Sequence, residues 1–153
     1  MHIIATDDEQ SALNVLMGAI REAVPLATVH GFRNPLEALE FMKETKCEIA
    51  FLDIQMREMS GIVLARKLKE IYPKVNIVFV TGYSQYANEA FALHASGYVY
   101  KPVTAGKIIN EMENLRNPVK WKDTGIFVNT FGNFELIVNG EEVSFGRAKS
   151  KEM

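Results

Sequence analysis

Five polar side chains in this sequence stand where short apolar runs stop, and together they suggest one chemistry. Asp7 and Asp8 follow the first run, and Asp53 closes Ile49-Ala50-Phe51-Leu52. Thr81 ends the run 75–80, and Lys101 follows Gly97-Tyr98-Val99-Tyr100. A run this short, closed by polar residues, reads as a strand buried on both faces. Its terminal side chain then emerges at the carboxyl end, where open parallel sheets bind ligands. Three carboxylates gathered there repel one another and share protons unless a cation sits among them. Oxygen-only ligation with room for water suits Mg2+. His2, His30 and His94 fall into no ligand spacing, which disfavours zinc. In such a site the Asp53 carboxylate can attack a phosphoryl group as a nucleophile. Mg2+ and the Lys101 ammonium would offset the charge on the phosphoryl oxygens, and the Thr81 hydroxyl would offer a donor. The bland reading is that Asp7, Asp8 and Asp53 merely cap helices. It explains each residue singly but not their shared placement at strand ends.

The elements that must position these groups follow from periodicity. After strand 2–6, Leu13, Leu16, Met17, Ile20 and Val24 recur at helical spacing, and Pro25 ends that helix. A weakly alternating strand is expected over 27–32. Asn34-Pro35 then starts a helix whose stripe is Leu36, Leu39 and Met42. Ser60-Gly61 opens a third helix carrying Leu64, Leu68 and Ile71. A fourth is expected over roughly 84–95, with Tyr86, Ala87, Ala90 and Phe91 as its apolar side. Thr104 caps a last helix bearing Ile108, Ile109, Met112 and Leu115. Five strand–helix units predict an α/β fold, a doubly wound five-stranded parallel sheet of flavodoxin-like order 2-1-3-4-5. In that order the first and third strands are neighbours, so Asp7, Asp8 and Asp53 converge in one crevice.

Composition narrows the class. The chain has 153 residues, 48% hydrophobic, with a formal net charge of −2, so no general polyanion-binding surface is implied. The single cysteine, Cys47, cannot form an internal disulfide and reads as a small side chain near a helix end. With a strand expected at the very start, no signal peptide is expected, and no run approaches the ~20 apolar residues of a spanning helix. A cytoplasmic protein with no membrane partner is expected.

After Pro118 the character changes. Residues 118–125 read as a linker. The runs Ile126–Phe131 and Phe134–Val138, the Asn139-Gly140 turn and the returning Val143-Ser144-Phe145 read as β-structure closing in a hairpin. Residues 147–153 read as the first turn of a helix cut short. So small a segment does not supply its own core, and 126–153 is expected to be the start of a second domain.

Residues 1–117 resemble the receiver domains of bacterial two-component response regulators. The resemblance is carried by Asp7-Asp8, by Asp53 followed by Met56 and Met59-Ser60-Gly61, by Thr81, by Lys101-Pro102, and by Tyr98 three residues before the lysine. It implies a phosphoacceptor domain in which Asp53 takes a phosphoryl group from the phosphohistidine of a sensor histidine kinase. It also implies Mg2+ held by Asp8 and Asp53, by Asp7 through water, and by the backbone carbonyl of Gln55. Thr81 and Tyr98 would then form a switch, and Lys101–Pro102 would be cis. Such a domain is no enzyme beyond its own Mg-dependent phosphorylation and autodephosphorylation. Arg57 departs from the pattern, standing where many receivers have proline. Ser96-Gly97 departs too, replacing acidic residues used in one subfamily's dimer. Residues 126–153 resemble the opening of a winged-helix output domain of the transcriptional activator type. That implies transcription regulation, a phosphorylation-dependent homodimer, and DNA contact only through the remainder of the output domain.

Three competing classes make different demands. A phosphatase with an aspartyl-phosphate intermediate needs a second acid two residues past the nucleophile, and here that residue is Gln55. A flavin- or nucleotide-binding module needs a phosphate loop after the first strand, where Asp7-Asp8-Glu9 would repel the ligand. A receiver-like interaction domain that works without phosphate is the remaining alternative, and it would be expected to have lost part of the cluster.

Overall fold

The computed structural model describes residues 1–122 and, beyond them, the backbone of the strands 127–129, 135–138 and 141–144. The apolar runs form β1 (His2–Thr6), β3 (Ile49–Asp53), β4 (Asn76–Thr81) and β5 (Gly97–Tyr100), and the weak run forms β2 (Thr28–Phe32). Between and after them come α1 (Gln10–Ala23), α2 (Pro35–Glu44), α3 (Gly61–Ile71), α4 (Ala87–Ala92) and α5 (Ala105–Met112). All pairings are parallel and the order is β2-β1-β3-β4-β5, the flavodoxin-like doubly wound sheet. Every residue of β3 and β4 is buried, as strands covered on both faces must be. Helix α1 lies beside α5, and α2 beside α3. Phe51, Phe79, Leu52 and Leu64 are fully buried. Each such side chain contributes roughly 1.5–3 kcal/mol by leaving water.

Helix starts are fixed by side-chain caps. Asn34 Oδ1 accepts from Leu36 N at 2.9 Å, Ser60 Oγ from Val63 N at 3.2 Å, and Thr104 Oγ1 from Lys107 N at 3.2 Å. Each satisfies an amide that the helix itself cannot, worth about 1 kcal/mol.

Several residues behave differently from their pattern. Helix α4 spans six residues rather than the expected twelve or so, and its C-terminal end is set by His94, which adopts a left-handed conformation (φ 57°). Ala95 N then donates to Ala90 O at 3.1 Å and His94 N to Phe91 O at 2.9 Å, a Schellman closure. With only Ala90 buried on so short a helix, Phe91 stands 80% exposed instead of facing inward. Leu36, Ile71 and Ile109 are likewise exposed. On α2 and α3 the buried stripe runs instead through Ala38, Leu39 and Met42, and through Ile62, Leu64, Ala65 and Leu68. His2 and His30, which share no ligand spacing in the sequence, meet in space: parallel pairing of β1 with β2 brings His2 Nδ1 to 2.9 Å from His30 Nε2, and the His30 ring lies on Phe41. Asn76, which looks like an interruption of an apolar run, is a buried junction. It donates to the carbonyls of Glu48 (3.3 Å) and Asn117 (2.7 Å) and accepts from Ser96 Oγ (2.7 Å) and Asn117 N (2.8 Å). All four hydrogen-bonding places of its amide are filled, which ties the chain after α5 to the start of β4. Cys47 is buried just past α2, and burial pushes its thiol up to about 12, so it is inert.

The chain divides into two compact units, Met1–Val119 and Lys120–Met153. In the second, β6 (Phe127–Asn129), β7 (Glu135–Val138) and β8 (Glu141–Ser144) form an antiparallel sheet, with Val138 opposite Glu141. The Asn139-Gly140 turn and the helical turn expected over 147–153 lie outside the described residues. No helix among the described residues is long and apolar enough to cross a membrane.

Candidate functional site

Strand register builds the site. Thr6 lies opposite Leu52, so the chain places Asp7 and Asp53 side by side where β1 and β3 end. Asp53 in turn lies opposite Val80, one residue before Thr81, and Thr81 lies opposite Tyr100, one residue before Lys101. One carboxylate oxygen each from Asp7, Asp8 and Asp53 falls within 4.8 Å of the others. Asp8 and Asp53 border a cleft of about 740 Å3, lined also by Glu9, Gln55, Arg57, Gly82, Tyr83 and Lys101.

Each carboxylate is held differently. Asp7 is buried, and its Oδ1 accepts from Glu9 N at 3.0 Å while Lys101 Nζ lies 2.9 Å from Oδ2. Lys101 also reaches Asp53 Oδ1 at 3.6 Å, so one ammonium is shared between two acids. Asp8 turns toward the opposite rim, where Arg57 N (3.1 Å) and Arg57 Nε (3.3 Å) both donate to its Oδ2. Burial pushes the Asp53 carboxyl up to about 6, with Asp7 and Asp8 adding to the rise and Lys101 opposing it. For Lys101, burial alone would depress the ammonium. Its hydrogen bond to Asp7 and the charges of Asp53 and Asp7 outweigh that, leaving it above the ordinary lysine range. The whole arrangement is therefore short of positive charge, with the Lys101 ammonium and the exposed Arg57 guanidinium set against three acids.

The loop after β3 is fastened by Gly61. Its N–H donates to Ile54 O at 2.8 Å, and a Cβ there would lie 2.1 Å from the carbonyl oxygen of Asp53. Only glycine lets the start of α3 sit directly on the backbone of Asp53. Thr81 is fully buried at the end of β4, and its Oγ1 accepts from Tyr83 N at 3.3 Å. Tyr98 does not enter the cleft. It packs on Phe79, and its hydroxyl donates to the carbonyl of Tyr83. Tyr83 thus bonds to Thr81 through its amide and to Tyr98 through its carbonyl. The Lys101–Pro102 bond is cis. Gln55, which lines the cleft, donates through its side chain to the Tyr86 hydroxyl at 2.9 Å.

The sequence marks Arg57 only as a departure from the receiver pattern and gives no sign of its bonds to Asp8. Nor does it point to Arg33, whose Nε donates to the Asp8 main-chain carbonyl at 3.2 Å. Arg57 lies 49 residues from Asp8 and Arg33 lies 25 away, so no local pattern signals either pairing.

The family model described as "Response regulator receiver domain" matches residues 3–113. The transcriptional regulatory protein YpdB of Escherichia coli is 31% identical over 75% of this chain and 47% of its own length. The chain spans a little under half the length of the curated relatives it matches, 43% for MrkE of Klebsiella pneumoniae. The solved response regulatory domain of MrkE is 33% identical, with a TM-score of 0.67 over 75% of this chain and 94% of that one. Response regulator TrrA of Thermotoga maritima, solved in complex with Mg(2+)-BeF, shares the fold. It has a TM-score of 0.65 and 24% identity, covering 73% of this chain and 96% of that one. The first unit of this chain belongs to the response regulator receiver domain family.

Proposed function

We propose that Asp53 is the phosphoacceptor of a two-component switch. An Asp53 carboxylate oxygen attacks the phosphorus of a kinase phosphohistidine, an O–P bond forms, the P–N bond breaks, and the released imidazole nitrogen takes a proton from solvent. The observation that carries this reading is the shared Lys101 ammonium between Asp7 and Asp53, inside a cluster of three convergent carboxylates. An oxygen-only donor set that is short of positive charge fits Mg2+. Asp8, Asp53 and the Gln55 carbonyl would hold the ion directly and Asp7 through water. When bound, Mg2+ supplies charge neutralisation for the phosphoryl oxygens. The chain's own groups do the rest. Lys101 offers an ammonium to a phosphoryl oxygen. Thr81 accepts from Tyr83 N and so keeps its own hydroxyl proton for another.

Phosphorylation adds about −1.5 to −2 charges and strong acceptors. Drawing the Thr81 hydroxyl inward then shifts the Tyr83 loop, and with it the hydrogen bond that holds Tyr98. The modification biases an equilibrium between arrangements of Tyr98. The readout is association through the α4–β5–α5 face as a homodimer, in the cytoplasm. A winged-helix output domain beginning near residue 126 carries the effect to DNA; the likeness of the receiver part to YpdB, a transcriptional regulatory protein, supports a transcriptional output.

The test is incubation with a small phosphodonor such as acetyl phosphate. With Mg2+, intact mass should show one added phosphoryl group, and chelation of the metal should reduce uptake by roughly two orders of magnitude or more. A chain that stays unmodified in saturating Mg2+ and donor would sink the proposal.

A further inference from the structure

Arg57 has no packing role that explains it. Its side chain is 81% exposed, yet its backbone N–H and its Nε converge on one oxygen, Asp8 Oδ2, at 3.1 and 3.3 Å. Arg33 approaches the same residue from β2's side, donating to the Asp8 carbonyl at 3.2 Å. A carboxylate oxygen that already accepts two N–H bonds, one from a guanidinium, is a poorer ligand for a hard cation. Charge-assisted bonds of this kind are the stronger ones, and guanidinium geometry suits carboxylates.

We propose that Arg57 is an internal counter-ion that competes with divalent cations for Asp8 and so raises the Mg2+ concentration at which the site fills. The inference rests on the metal reading above but goes beyond it, since it assigns a regulatory role to a rim residue that takes no part in the phosphoryl chemistry. Because the Arg57 guanidinium is exposed, the competition is modest and screened by salt.

The experiment is calorimetric titration of the full chain with Mg2+ alone at low ionic strength, comparing wild type with Arg57→Ala, Arg57→Glu and Arg57→Lys. All keep the backbone bond to Asp8, and an exposed side chain can be changed without disturbing the core. Arg57→Ala should bind Mg2+ roughly two- to fivefold more tightly. Arg57→Glu should bind more tightly still, and Arg57→Lys should fall between wild type and Arg57→Ala. The gain should shrink in about 1 M salt. Equal or weaker binding by Arg57→Ala overturns the proposal, as does a gain that salt leaves unchanged. If wild type takes up no Mg2+ and Asp8→Asn changes nothing, the metal reading itself falls, a result distinct from the first.

Discussion

Asp53→Asn should leave the chain unable to take up phosphate and, in the same variant, harder to unfold without metal. The first effect follows from the proposed chemistry. A carboxamide is not a nucleophile toward phosphorus, so uptake from a small donor should fall below detection at donor and Mg2+ levels that saturate wild type. The second follows from where the carboxylate sits. Burial together with Asp7 and Asp8 lifts Asp53 from 3.8 to about 6. A raised carboxyl binds its proton more tightly in the folded than in the unfolded chain. Its contribution to stability is therefore fully present below the unfolded value and is lost as pH rises through about 6. At pH 7 the ionised group is a net liability of about 1–3 kcal/mol, which the neutral amide removes. Denaturant melts in chelator at pH 7 should show Asp53→Asn above wild type, with the gap closing toward about pH 4. A variant that labels like wild type removes Asp53 from the acceptor role. One that is less stable at pH 7 shows that the acid cluster is not under repulsion.

The other large effect belongs to a glycine. In an exposed helix, Gly→Ala stabilises by about 0.5–1 kcal/mol, because alanine has less backbone freedom to lose. A Cβ added at Gly18, in α1, would meet nothing within 4 Å, so that position should follow the rule. Gly61→Ala should do the reverse. Its Cβ would meet Asp53 O at 2.1 Å, Asp53 C at 2.9 Å and Ile54 Cα at 2.9 Å, all backbone atoms that cannot swing aside. Overpacking of that kind costs about 1–3 kcal/mol, which outweighs the propensity gain. Relief requires α3 to back away from β3, so phosphorylation should slow together with the loss of stability. The check is paired denaturation of the two variants. If Gly61→Ala stabilises as Gly18→Ala does, the close seating of α3 on the acceptor strand is refuted.

Much of the fold was legible because it is written in local pattern. The buried strands are short apolar runs, and Asn34, Ser60 and Thr104 announce their helices with side chains that do cap them. Convergence of Asp7, Asp8 and Asp53 followed from strand order, since parallel strands bring their carboxyl ends to one edge. What escaped was set by contacts between distant residues or by unusual backbone. The early stop of α4 depends on a histidine in a left-handed conformation, where glycine or asparagine is the usual signal. Asn76 reads as a flaw in a strand until Ser96 and Asn117 arrive to satisfy it. The His2–His30 contact needs the register of β1 against β2. Exposed Leu36, Ile71 and Ile109 show that an apolar residue at helical spacing can lie just outside the buried stripe.

The central claim is that the phosphoryl group arrives on Asp53. An aspartyl phosphate is an acyl phosphate, which borohydride reduces to an alcohol, turning the acceptor aspartate into homoserine. After labelling with acetyl phosphate in Mg2+, reduction and peptide mapping by mass spectrometry should find homoserine at position 53 and nowhere else. Homoserine at position 7 or 8, or a labelled chain whose Asp53 survives reduction intact, would contradict the account.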